Sequence, residues 1–199
     1  MLNELIGSLV QVLLFSLLPF LVWLISARKK ESFFQWIGLK KPVCQNTTRI
    51  LLVAVVTAII YIMAMILFLK LLSDGITTAG SQFAGQGMAA LPAVLAYSFF
   101  RTALAEEILF RGFLLKRLQN KFGFLSANTL QALVFGLMHG IPLGLVTRSV
   151  AVFTVLTLVP GALGWYLGWF NERHCGGSII PSWLLHGCVN FLSGIVSLL

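Results

Sequence analysis

Three polar groups interrupt an otherwise apolar chain: Glu106-Glu107 followed by Arg111, then His139, then His186 with Asn190. Hydrolysis of an amide needs a base for water, donors for the developing oxyanion and a proton for the leaving amine. This set contains a candidate for each. Glu107 and Arg111 stand at i and i+4, so on a helix they share a face and can pair. Glu106 lies about 100° further round, where the same arginine reaches it less readily, and it is left free to point elsewhere. His186 and Asn190 are again i and i+4. Glu106 is the candidate base, His139 the residue that holds or shares the attacking water, and His186 with Asn190 the candidate oxyanion donors. No Ser or Cys stands in an evident nucleophile motif and HExxH is absent, so direct attack by water is the economical chemistry. Each group also has a structural reading. The glutamates could form two ion pairs, with Arg101 serving the second. His139 could be a hydrogen-bonded helix-end residue, and His186 with Asn190 could simply bond two helices together. His174, in a polar stretch, is given no role.

The elements that carry these residues must be membrane helices. Of 199 residues, 58% are hydrophobic and 10% charged, with mean hydropathy +0.94. A soluble domain carries about 25% charged residues, and a globule of this size could not hide so much apolar surface. A span needs about 20 residues, so the length fits about six, with no room for a separate soluble domain. The apolar runs are Leu5–Ile25, Ile50–Leu72, Ala89–Leu115, the shorter Ser126–His139 ending at Gly140-Ile141-Pro142, Ser149–Phe170 closed by Asn171-Glu172-Arg173-His174, and Ile179–Leu199. The first lacks a basic leader and a small-residue cleavage site, and reads as a retained helix. Pro160-Gly161 is expected to bend the fifth. Asp74 to Met88 has no cation and reads as an exposed loop. The expectation is one all-α integral membrane domain over 1–199, a bundle of about six transmembrane helices around a buried polar site.

Net charge is +8, but the cations cluster beside apolar runs and form no contiguous basic face for nucleic acid. Arg28, Lys29, Lys30, Lys40, Lys41, Arg49, Lys116, Arg117, Lys121 and Arg173 fall in the first, third and fifth loops, against Lys70 and Arg148 near the opposite helix ends. The positive-inside rule therefore puts those loops in the cytoplasm and both termini outside, and the expected location is a bacterial cell membrane, crossed in multiple passes. Trp23, Trp165, Trp169 and Trp183 lie near predicted helix ends, as an aromatic belt would have them. The three cysteines, Cys44, Cys175 and Cys188, an odd count without CxxC, argue against a disulfide framework and a thiolate metal site. Cys188 reads as a small hydrophobe.

Ionisable groups inside a membrane cost about 2.5–3.5 kcal/mol each on insertion scales and usually face a protein interior or a water cavity. Depth allows these groups to meet. At 1.5 Å per residue, Glu106 lies about 15 Å from Lys116, His186 about 10 Å into its helix and His139 about 20 Å along from Ser126. Gly136 and Gly140 bracket the His139 region and permit another backbone to approach closely.

EExxxR, FxxxH and HxxxN, in that order on successive membrane helices, resemble the CPBP (Abi) family, which includes the type II CAAX prenyl endopeptidases and relatives linked to bacteriocin self-immunity. The motifs lie within 89–199, and none of their positions is substituted. The resemblance implies an intramembrane glutamate-type endopeptidase in which Glu106 and His139 activate water, His186 and Asn190 form the oxyanion hole, and Glu107, Arg111 and Phe135 support them. The expected reaction is cleavage near the C-terminus of a membrane-associated peptide or protein presented at the cytoplasmic face, without a cofactor. One alternative is a zinc-dependent protease with Glu106, His139 and His186 as ligands, an acceptable catalytic set. The other is a non-catalytic immunity or transport protein, although no inverted repeat of broken helices is present.

Overall fold

The computed structural model describes residues 1–44, 47–72 and 79–198, and among these no strand occurs. The helices run in the order α1 (Leu2–Ser26), α2 (Phe33–Trp36), α3 (Thr47–Leu72), α4 (Met88–Phe122), α5 (Phe124–Thr147), α6 (Val150–His174) and α7 (Ile180–Leu198). Five of them, α1 and α4 to α7, are long and apolar enough to cross a membrane, and α3 contributes the apolar stretch Val55–Ala64. The chain is thus an all-α membrane bundle. In lipid every backbone polar group must be satisfied within the protein, and continuous helices do this. The loop expected from Asp74 lies outside the described residues as far as 78. From Ala79 it forms one short turn of 3-10 helix to Phe83, and Phe83 is buried.

Local chemistry sets several boundaries. Ser149 caps α6 by accepting Val152 N–H at 3.3 Å. Gly123, at φ 76°, makes the sharp turn from α4 into α5. Two expected ends are corrected. The fourth run does not stop at Gly140-Ile141-Pro142: α5 continues to Thr147, 24 residues in all, and spans fully by length. Pro142 removes only one helical hydrogen bond, and the glycines there serve packing. A Cβ on Gly136 would collide with the Thr157 carbonyl, one on Gly140 with Thr157 Oγ1, and one on Gly144 would sit 2.7 Å from Phe153 Cβ. These contacts make α5 and α6 a close-packed hairpin. Likewise α6 does not end at Phe170 but runs through Asn171-Glu172-Arg173-His174. His174 is therefore helical, its ring 4.2 Å from that of Trp169.

Helix α4 is the least regular. Tyr97–Leu104 and Glu107–Leu115 are π-helical, on either side of Ala105-Glu106. Such wide turns are rare and frequent at functional sites. Side chains meet the carbonyls of this segment: Thr102 Oγ1 donates to Ser98 O at 2.9 Å and Trp183 Nε1–H to Phe99 O at 2.6 Å.

The cysteine expectation is also corrected. Cys44 and Cys175, 131 positions apart, form a disulfide. Spacing could not reveal it, because the pairing depends on the α2–α3 and α6–α7 connections meeting at one end of the bundle. Cys188 is free and exposed on α7.

Candidate active site

Glu106, Phe135, His139, His186 and Asn190, from α4, α5 and α7, line one cavity of about 310 Å³. Glu107 and Arg111 do not; they lie behind it, each 0% exposed. The two adjacent glutamates thus have different neighbours. Glu107 Oε1 lies 3.2 Å from Arg111 Nη1 and 3.1 Å from His186 Nδ1, while its Oε2 accepts from Ser182 Oγ at 2.6 Å. Glu106 Oε2 lies 3.6 Å from His186 Nε2, beyond hydrogen-bond length, and this buried oxygen has no hydrogen-bond partner. Arg101 does not serve Glu106 but pairs with Glu4 on α1 at 3.0 Å.

The histidines are oriented differently. His139 Nδ1 lies 2.8 Å from the Phe135 carbonyl. A carbonyl can only accept, so this contact places a proton on Nδ1 and leaves Nε2 as an acceptor. His186 stands between the two glutamates, with Nδ1 on Glu107. Asn190 Nδ2 donates to Thr102 Oγ1 at 2.9 Å, which fixes the amide and leaves its second N–H. Phe135, 1% exposed, is the shared wall. Its ring is 4.6 Å from His139, 5.9 Å from His186 and 5.1 Å from Phe110, and the Arg111 guanidinium lies 4.2 Å over it.

Among the described residues no three His, Cys, Asp or Glu side chains are grouped to hold a metal ion. His186 has Glu107 at one ring nitrogen and Glu106 at the other, and the trio Glu106, His139 and His186 does not form a three-point site. No step below is routed through a metal.

Three supporting residues escaped the motif reading. Ser182 bridges Glu107 to Asn171, whose Nδ2 donates to Ser182 Oγ at 2.6 Å, and Thr102 anchors Asn190. Ser182 carried a usable signal: Ser182, His186 and Asn190 recur every four residues on one stripe of α7. Asn171 and Thr102 carried none, because their partners lie on other helices.

No curated protein and no solved structure matches the chain. A family model described as type II CAAX prenyl endopeptidase Rce1-like matches residues 88–192. That match takes in α4 to α6 and α7 as far as Leu192, including every residue of the three motifs. The chain belongs to the Rce1-like type II CAAX prenyl endopeptidase family.

Proposed function

We propose that the protein is a glutamate-type intramembrane endopeptidase that cleaves near the C-terminus of a membrane-associated peptide or protein. The observation that carries this reading is Glu106 Oε2, a buried carboxylate oxygen without a hydrogen-bond partner, in one cavity with an acceptor nitrogen of His139. A water molecule there hydrogen-bonds to Glu106 and to His139 Nε2. Glu106 takes one of its protons as the oxygen attacks the scissile carbonyl carbon, and the other proton stays on that oxygen while its hydrogen bond to His139 orients it. The oxyanion that forms takes the second Asn190 N–H and, with the ring doubly protonated, the His186 Nε2–H. Collapse breaks the C–N bond, and Glu106 returns its proton to the departing nitrogen. Glu107, Arg111 and Ser182 hold His186 in place. The protein sits in the cell membrane, with its cation-rich loops in the cytoplasm and both termini outside.

The test is a membrane peptidome comparison between cells carrying the wild-type chain and cells carrying Glu106→Ala at matched expression. Cleavage products present only with the wild type support the reading and identify the substrate. Identical peptidomes, with both proteins folded and abundant, sink it in favour of binding-type immunity. Turnover is expected to survive a chelator; loss on chelation and recovery with zinc would select the metal-dependent alternative.

A further inference from the structure

The cavity has a direction. On α7 its lining runs from His186 to Ser197, about 16 Å of helix rise. On α4 it runs from Glu106 back through Thr102 and Ser98 to Val94, and it reaches Gly80 and Phe83 in the connection before α4. Every one of these positions lies between the Glu106–His186 level and the cation-poor end of the bundle. Among the described residues, none that lines the cavity comes from the cation-rich end.

On the other side of Glu106 and His186 the interior is filled. Glu107, Arg111, Asn128, Gln131, Asn171 and Ser182 are all 0% exposed. Gln131 Nε2 bonds Asn128 Oδ1 at 2.9 Å and the Gly164 carbonyl at 3.0 Å, and Asn128 Nδ2 bonds Trp165 O at 2.8 Å. Below this layer, Lys116 Nζ pairs with Glu172 at 2.6 Å and bonds Gly177 O at 2.8 Å, while Ser178 Oγ bonds Lys40 O at 2.6 Å. The Cys44–Cys175 bridge closes the same end. A peptide cannot reach Glu106 through this end without breaking that network.

We infer that the substrate enters from the cation-poor face, which the charge distribution makes extracytoplasmic. The substrate class is then an exported peptide, or the outer juxtamembrane segment of a membrane protein. This rests on the protease reading above and reverses the cytoplasmic presentation expected from the sequence. Among the described residues Glu106 is the only Asp, Glu, Lys or Arg lining the cavity; the rest includes Ser98, Ser193 and Ser197 beside Val94, Phe83 and Leu163. The segment at the scissile bond is therefore uncharged. The disulfide pulls the other way, because such bonds persist in oxidising compartments. Ten cations in or beside the connections at that end, against two near the other, outweigh that single bridge in setting orientation.

The test uses full-length protein in a Cys188→Ala background with a membrane-impermeant maleimide. Gln86→Cys reports the cation-poor face, Lys121→Cys the cation-rich face and Ser197→Cys the cavity. Labelling of Gln86→Cys and Ser197→Cys in intact cells, with Lys121→Cys labelled only in everted vesicles, is expected. Labelling of Gln86→Cys only in everted vesicles overturns the extracytoplasmic assignment. Labelling of Gln86→Cys but never Ser197→Cys overturns access from that face. Neither readout needs catalysis. With wild-type protein, a quenched uncharged peptide is added outside right-side-out and everted vesicles. Turnover only in right-side-out vesicles is expected, and turnover only in everted ones overturns the inference. Turnover in neither, with the labelling pattern as expected, counts against the protease reading alone.

Discussion

The two ends of the bundle differ in kind. Toward the cation-rich loops, buried polar groups are packed against each other and the interior is solid; toward the cation-poor end, small hydroxyl and apolar side chains surround a cavity. Both ends contain polar atoms inside a membrane protein, so polarity alone does not mark a site. What separates them is packing: at one end the polar side chains are wholly buried against protein, and at the other they line a cavity. Glu107 has three partners, from α4 and α7, and Glu106 Oε2 has no hydrogen bond. Adjacent residues of one type thus fall on opposite sides of the boundary, one bonded within the packed interior and the other facing the cavity.

The largest expected effect comes from breaking the solid end. Arg111→Ala leaves Glu107 as a buried charge with its countercharge removed, and should cost about 3–5 kcal/mol, read as a fall in melting temperature and in membrane expression. If Arg111→Ala folds as well as wild type, the distinction between the two ends is wrong. Glu106→Gln should do the converse: turnover falls about 10²–10⁴-fold, the usual contribution of general acid–base catalysis, while the melting temperature holds. A large loss of stability in Glu106→Gln would place that residue with the solid end.

Gly136→Val tests the hairpin that fixes His139. Its new methyls meet the Thr157 backbone, and overpacking of about 3 kcal/mol should appear in thermal unfolding. Ser182→Ala removes a donor from Glu107 and an acceptor from Asn171, at about 1–3 kcal/mol; turnover should fall with it, since Glu107 holds His186. The smallest effect belongs to Glu4→Gln. The Glu4–Arg101 pair is partly exposed, so less than about 1 kcal/mol is expected.

The all-helical membrane fold was legible because hydropathy and helical periodicity are local properties. That Glu107 and not Glu106 pairs with Arg111 was legible as well, since i, i+4 spacing allows only one of them to meet Arg111 well. Helix ends were read less well. Gly140-Ile141-Pro142 looks like a stop, yet the glycine is there for the approach of α6, and lipid penalises any broken helix. The disulfide, the Arg101–Glu4 pair and the Asn171–Ser182–Glu107 chain join residues from distant helices, and no local pattern encodes such meetings. The direction of the cavity was not legible for the same reason: depth along each helix was calculable, but not which end the side chains would fill.

Phe135 ties these residues together energetically. One ring contacts His139 on its own helix, His186 on α7 and Arg111 on α4. Substitutions at those three positions should not combine independently, because each changes the packing of a ring the others share. Double-mutant cycles between His139 and His186 should show coupling that disappears when Phe135 is replaced by leucine, and an evolving lineage could alter any one of the four only in step with the rest.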